Sequence, residues 1–393
     1  MNRIISVVVL SVLITCNHHS EESIFKNLQT KLDSLSQVEN GLVGFSVAIV
    51  NSDSVLYKRG FGFANLQDSV LYTTSTIQNV ASISKTFIGV CLMKAQEEGL
   101  LNLNDPIHQY LDFEVINPNF PNHPITIRHL ATHTSSIRDN EFYAGQSYIL
   151  KDPKSKTNTE LGVDFQRQSR LTMEGFLKEM LIDSGKYFNE NSFLFKEPGT
   201  QFEYSNIGAT LAALVLEKAT GIPFHLYCKR NILEPLGMMN SGWSFDQINI
   251  KNHSLLYMPS REAIPFYSLI TYPDGGLITS VDDLSKYLQE MIKGYKGIGT
   301  LLSQSGYQEL FRSQLNSSHF NSLEDLEQNE GIFISIEQSA MLGHSGRDPG
   351  VSTYMHFDAN KGMGYLVLTN TEMDEKAYDQ YQRIINTIRI QNQ

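Results

Sequence analysis

The chain of 393 residues is 41% apolar and 19% charged, a balance that supports a folded core and excludes a largely disordered polypeptide. Its net charge of -11, with no Lys/Arg-rich run, excludes a phosphate-neutralising surface, so nucleic acid is not an expected partner.

At the start of the chain, Asn2 and Arg3 precede an apolar run from Ile4 to Ile14 that stops at Thr15 and Cys16. This layout reads as an export signal over residues 1–15. The run falls well short of the roughly 20 apolar residues needed to span a bilayer. Leu13-Ile14-Thr15-Cys16 resembles a lipobox, with Thr15 departing from the smaller residue usual there. Cys16 would then be a lipidated first residue, and the expected location is exported, either periplasmic or anchored to a membrane face. Cys91 and Cys228 remain. They could pair in an oxidising compartment, but Cys91 lies in an apolar helical pattern, and two free thiols are expected.

Residues 16–39 form a linker in which Glu22 to Leu35 reads as an amphipathic helix. Gly44 to Val50 and Val55 to Phe63 read as two strands joined by the turn residues Asn51 to Ser54, a hairpin. Ser82 to Glu98 has apolar residues at helical spacing, closed by Gly99. Ile125 to His133, Thr172 to Leu181, Ala209 to Thr220 and Asp282 to Lys293 also read as helices. From Gly331 on, short β-like runs follow at Ile332–Ile336, Ala340–Gly343, Val351–Phe357 and Met363–Leu368, before a last amphipathic helix over Glu375–Ile390. Lys151–Arg170 and Asn316–Glu330 are polar and read as surface loops. The expected fold class is α+β: an antiparallel sheet built from both chain ends and flanked by helices, with a mainly α-helical domain inserted. The main domain covers residues 40–370, and 371–393 supply a helix packed on the sheet.

Three short constellations carry chemistry. Ser82 and Lys85 form a Ser-x-x-Lys at the start of the expected helix, one turn apart on one face. Backbone N–H groups there can hold an oxyanion. A serine hydroxyl needs a base, and a lysine of pKa ~10.4 must drop by about three units, on the order of 4 kcal/mol, to accept a proton readily at pH 7. A plain N-cap serine with a solvated lysine would give the same pattern, and Ser23 with Lys26 repeats it. Tyr204-Ser205-Asn206 offers a phenol as proton carrier and an amide as ligand for a substrate amide; Tyr187 and Asn189 repeat that spacing. His344-Ser345-Gly346 follows a β-like run and places a small residue and a potential cation beside an edge strand.

Ser-x-x-Lys, Tyr-x-Asn and a Lys/His-x-Gly triplet in this order resemble the active-site motifs of serine beta-lactamases and penicillin-binding proteins. The branch resembled is that of class C beta-lactamases, DD-peptidases and related esterases. Ile125 to Ser135 and Gly275-Gly276-Leu277 through Leu284 also look typical of that family, and the match covers about residues 40 to 370. The resemblance implies Ser82 as nucleophile, Lys85 and Tyr204 as proton-transfer pair, and Asn206, His344, Ser345 and Gly346 as substrate ligands. It further implies an oxyanion hole from the backbone N–H groups of Ser82 and Arg347. Ser136 stands where the family usually has Gly, and His344 where beta-lactamases usually have Lys. At an ordinary pKa of ~6.5, His344 would be cationic in about a quarter of molecules at pH 7.

His129 and His133 have metal-pair spacing, but Leu130 stands where a zinc-hydrolase motif needs Glu. No metal and no cofactor are expected. The expected function is a serine hydrolase working through an acyl-enzyme on small esters, amides or peptides, including D-amino-acid compounds of the cell wall. A non-catalytic binder of penicillin or a cell-wall fragment is the alternative.

Overall fold

The computed structural model describes residues 25–157, 163–320 and 328–390, so the expected export signal, Cys16 and Ser23 lie outside the described residues. An amphipathic helix (α1, 25–36) leads into β1 (Gly44–Asn51) and β2 (Val55–Asn65), the expected hairpin. Short β3 (Val70–Leu71) follows; β4 (Gln328–Glu330), β5 (Ser335–Glu337), β6 (Met341–Asp348), β7 (Val351–Asp358) and β8 (Met363–Thr369) come from the other end of the chain. These make one antiparallel sheet in the order β4-β5-β6-β7-β8-β1-β2-β3, with β1 and β8 paired from Phe45↔Thr369 to Asn51↔Met363. The two chain ends thus meet at the sheet centre, as the α+β reading expects.

Each face of that sheet is covered. The helix Glu375–Ile390 falls where the amphipathic pattern places it and buries Ala377, Tyr381, Ile384, Ile385 and Ile388 with α1 against Phe45, Val47, Tyr354 and Val367. Each fully buried aliphatic side chain is worth about 1.5–3 kcal/mol. On the opposite face lie the helix Val281–Tyr295 and the helical domain, including α2 (Ser84–Glu97) and α3 (Asn206–Thr220). Along α3, Ile207 through Leu216 are buried, Ser205 caps the start by accepting from the N–H of Gly208 (2.9 Å), and Gly221 at φ 68 ends it. The functional cleft opens between this domain and the free edge of β6.

Some boundaries differ from expectation, for local reasons. The strand expected over Ala340–Gly343 runs from Met341 to Asp348, because pairing with β7 outweighs the turn-like composition of His344 to Asp348. The apolar run Ile332–Ile336 is strand only from Ser335; Ile332 to Ile334 are buried, with the N–H groups of Ile332 and Phe333 donating to Leu310 and Ala131. Ser136 adopts φ 65, a conformation that favours Gly, which explains why Gly is usual there. Its hydroxyl accepts from Asn117 Nδ2 at 2.9 Å. Cys91 and Cys228 are both free and buried.

Candidate active site

Ser82 sits not on α2 itself but in the 3-10 turn Ala81–Ile83 just before it. The turn is anchored from two sides: the N–H of Val80 donates to Leu277 O (3.0 Å), and Thr353 Oγ1 donates to Val80 O (2.9 Å). Ala81 is held at φ 50, a strained value for a residue with a side chain. Gly346 of β6 backs onto this turn: a Cβ there would lie 2.5 Å from Val80 O and 2.9 Å from Ser82 N. The small residue anticipated as room for substrate is therefore needed by the nucleophile turn itself.

Lys85 is fully buried, and its Nζ contacts Ser82 Oγ (2.9 Å), Asn206 Oδ1 (2.6 Å) and Asp274 O (2.8 Å). The last two oxygens can only accept. A neutral amine would spend its two N–H groups on them and aim its lone pair at Ser82, the geometry of a general base. The charge balance differs from the sequence expectation. Burial works to lower the Lys85 pKa, but Tyr204, Asp274 and Asp139 together hold it above its ordinary value. The downward shift anticipated for this lysine is not present, because a negative environment surrounds it.

Tyr204 stands in the cleft with Ser82, its ring centroid 5.1 Å from Lys85 Nζ. Burial of the phenol raises its pKa, while the neighbouring Lys85 and Ser82 work to lower it. Its ring packs against His133 at a tilt of 31° (4.4 Å between centroids) and lies 6.1 Å from that of His344. His133 Nδ1 accepts from the N–H of Ser205 (3.2 Å), and His129 Nδ1 accepts from that of Thr126 (3.3 Å), so each ring of the supposed metal pair has a separate structural task.

Asn206 opens α3. Its Nδ2 donates to Asp139 Oδ2 (2.7 Å) and its Oδ1 accepts from Lys85, which leaves one amide N–H for a substrate. Asp139 also accepts from the N–H groups of Asn206 and Ile207 (both 2.9 Å) and from Ser205 Oγ (3.1 Å). A carboxylate at a helix N-terminus suits both the free N–H groups and the dipole. It fixes the Tyr204-Ser205-Asn206 turn.

β5 pairs with β6 at Ile336↔Leu342 and Ser335↔Gly343, leaving the edge from His344 onward open. His344, Gly346 and Asp348 alternate onto the cleft face. Ser345 is exposed on the open edge and lines the cleft with Ser82, and its carbonyl accepts from His344 Nδ1 (2.5 Å). Burial first, and then Lys85, lower the His344 pKa to about 4 against the pull of that hydrogen bond. The partly cationic His344 expected from an ordinary imidazole is thus neutral at pH 7. The Arg347 side chain turns outward to Glu372 (3.1 Å) and Met373 O (3.2 Å).

Three acids escaped the sequence reading: Asp139, Asp274 and Asp348. Asp274 is buried and accepts from Tyr143 OH (2.8 Å) and Thr210 Oγ1 (2.9 Å), and burial raises its pKa to about 6. Asp348 lines the cleft with Ser82 and accepts from Tyr148 OH at 2.6 Å. Of the repeated motifs, Tyr187 donates to Gln146 (2.9 Å) and Asn189 caps the turn Glu190–Ser192, so neither joins the site.

The family model described as Beta-lactamase matches residues 23–386. The chain belongs to the beta-lactamase family. Penicillin-binding protein 4* of Bacillus subtilis (strain 168) is 27% identical to it over 381 residues, covering 90% of this chain and 73% of that protein. The octameric penicillin-binding protein homologue from Pyrococcus abyssi superposes with a TM-score of 0.70 at 25% identity, covering 91% of this chain and 76% of that one. EstCE1, a hydrolase with promiscuous acyltransferase activity, shares the fold at a TM-score of 0.69 and 20% identity, over 94% of this chain and 99% of its own.

Proposed function

We propose that this beta-lactamase family member is a serine hydrolase that cleaves small esters, amides or peptides through an acyl-enzyme on Ser82. The observation that carries the reading is Lys85 Nζ at 2.9 Å from Ser82 Oγ, with Tyr204 beside the same lysine in the cleft. A binding protein has no need of such a proton-transfer pair. In the proposed reaction Ser82 Oγ attacks the substrate carbonyl and its proton passes to the Lys85/Tyr204 pair. The backbone N–H groups of Ser82 and Arg347 hold the oxyanion, and the pair then protonates the leaving group. Water attacks the acyl-enzyme by the same route in reverse roles. EstCE1, named a hydrolase with acyltransferase activity, supports acyl chemistry on this fold. A neutral His344 supplies no cation for the carboxylate of a beta-lactam, which disfavours antibiotics as good substrates. We also propose that the reaction takes place outside the cytoplasm, with Cys16 as lipid anchor, on the export pattern of residues 1–16.

The test is a panel of p-nitrophenyl esters, amino-acid p-nitroanilides and nitrocefin against wild type and Ser82→Ala, with mass spectrometry after fluorophosphonate treatment. Hydrolysis that vanishes in Ser82→Ala, with the label on Ser82, is expected. Equal rates in a folded Ser82→Ala protein would overturn the assignment.

A further inference from the structure

We propose that the cleft beside Ser82 takes substrates carrying a free ammonium group, and that Asp348 is the residue that reads it. This rests on the hydrolase reading, since it names what the Ser82 site binds.

Position is the first argument. Asp348 lies on the cleft face of β6 two residues beyond Gly346, the residue packed against Ser82 N, so about 7 Å along the strand separates them. That is roughly one amino-acid unit from the reacting carbonyl. Partnership is the second. Oδ1 accepts from Tyr148, while Oδ2 is buried with no hydrogen-bond partner, and among the described residues no cation makes a salt bridge to this carboxyl. A buried carboxyl oxygen left unpaired is costly, and a ligand N–H would satisfy it. Gly275 packs close to it, since a Cβ there would stand only 3.1 Å from Oδ2.

The surrounding charges point the same way. Among the described residues, the two cations beside the nucleophile are engaged: Lys85 has three oxygen contacts, and Arg347 turns away to Glu372, while Arg389 lines the cleft from the helix Glu375–Ile390. Neither of the first two is left to hold a substrate carboxylate beside Ser82. Asp274, by contrast, adds a second acid on the same wall, which Tyr143 and Tyr148 also line. The cleft is complementary to a cationic substrate and mismatched to an anionic one.

A competing role for Asp348 is purely structural: its bond to Tyr148 ties β6 to the strand pair Tyr148–Leu150 and Tyr267–Leu269. Two variants separate the roles. Asp348→Asn removes the charge and keeps the shape; Tyr148→Phe removes the bond and keeps the charge. The readout is the ratio of kcat/KM for an amino-acid p-nitroanilide over its N-acetyl counterpart, taken for both enantiomers. We expect wild type to favour the free amine. Asp348→Asn should cut the ratio about 10- to 100-fold, chiefly through KM, as for the loss of a charge-assisted contact. Tyr148→Phe should leave the preference in place. A wild-type ratio at or below one, or a ratio untouched by Asp348→Asn while both rates fall together, overturns the proposal. Calorimetry on Ser82→Ala with phenylalanine amide and N-acetylphenylalanine amide keeps the two readings apart. Binding of the free amine that is lost in Ser82→Ala/Asp348→Asn supports the ammonium site even if no substrate is turned over, an outcome that would sink the hydrolase reading alone. Equal binding of the two amides overturns the ammonium site even if Ser82-dependent hydrolysis is found.

Discussion

Asp139 Oδ2 accepts both the backbone N–H of Asn206, at 2.9 Å, and its side-chain amide, at 2.7 Å. With Nδ2 pinned there, the amide cannot flip, and Oδ1 must face Lys85. Asp139 therefore positions the base at one remove, and it steadies Tyr204 through the same turn. Asp139→Ala should lower kcat by about 100-fold with little change in KM, because geometry is lost in the transition state rather than in binding. It should also cost about 1–2 kcal/mol of stability, as for a lost helix cap. A fall in melting temperature with kcat unchanged would mean that Asp139 only caps the helix.

The charge state of the Lys85/Tyr204 pair gives a pH prediction. Both pKa values are raised, so at neutral pH the pair rests as ammonium and neutral phenol, one proton too many for a base. The two groups titrate together, and the catalytic form is the one that has lost a single proton. As the groups must deprotonate and their pKa values lie high, kcat/KM for a neutral ester should rise with pH and still be climbing at about pH 9. Tyr204→Phe should lower kcat steeply and alter that limb. A plateau reached already by pH 7 would show that the pair is discharged at rest.

What was legible in the sequence is what local pattern encodes. Ser82 with Lys85 and Tyr204 with Asn206 stand within one helical turn or one loop, so their spacing survives folding. The amphipathic period of Glu375–Ile390 likewise fixes that helix from its own residues. Asp139, Asp274 and Asp348 have no such local signature, since each acquires its meaning from a partner at least 64 positions away. Asp274 adjoins the family-like Gly275-Gly276 segment and Asp348 follows the His-x-Gly triplet, the only hints available. The charge states of Lys85 and His344 were illegible for a related reason: they depend on burial and on the net of several neighbours.

Glu330 offers a stability test away from the chemistry. It is 4% exposed, and among the described residues its Oε1 has no hydrogen-bond partner; burial raises its pKa to about 8, against the pull of the nearby Ser335. A folded pKa above the unfolded value makes the contribution to stability full below about pH 4.5 and progressively lost as pH rises to about 8. Glu330→Gln, which cannot ionise, should therefore lie within about 1 kcal/mol of wild type near pH 5 and exceed it by up to about 4 kcal/mol at pH 8. Urea denaturation at several pH values reads this directly. Stability curves that stay parallel across that range would show that the Glu330 carboxyl keeps an ordinary pKa.

The remaining prediction concerns His344, whose neutrality bears on substrate charge. Its pKa is lowered to about 4, so the ring gains a proton only in acid and carries no charge between pH 6.5 and 8. An ordinary imidazole would go from about half charged to a few per cent charged over that interval, and affinity for an acidic ligand would fall with it. Asp348, with a pKa raised to about 7 by burial and by Asp274, ionises in the same window and must be silenced first. Binding is best measured in Ser82→Ala/Asp348→Asn, with N-acetylphenylalanine as the acidic ligand and N-acetylphenylalanine amide as the neutral one. Both affinities should be nearly flat from pH 6.5 to 8, because Asp274, with a pKa of about 6, is already mostly ionised there. Adding His344→Lys should then strengthen the acidic ligand alone, by up to about ten-fold, because an ammonium stays charged throughout while the neighbouring Lys85 limits the gain. An acidic-ligand affinity that falls with pH while the neutral one holds, and that His344→Lys flattens, would establish a charged His344 and restore carboxylate substrates to this cleft.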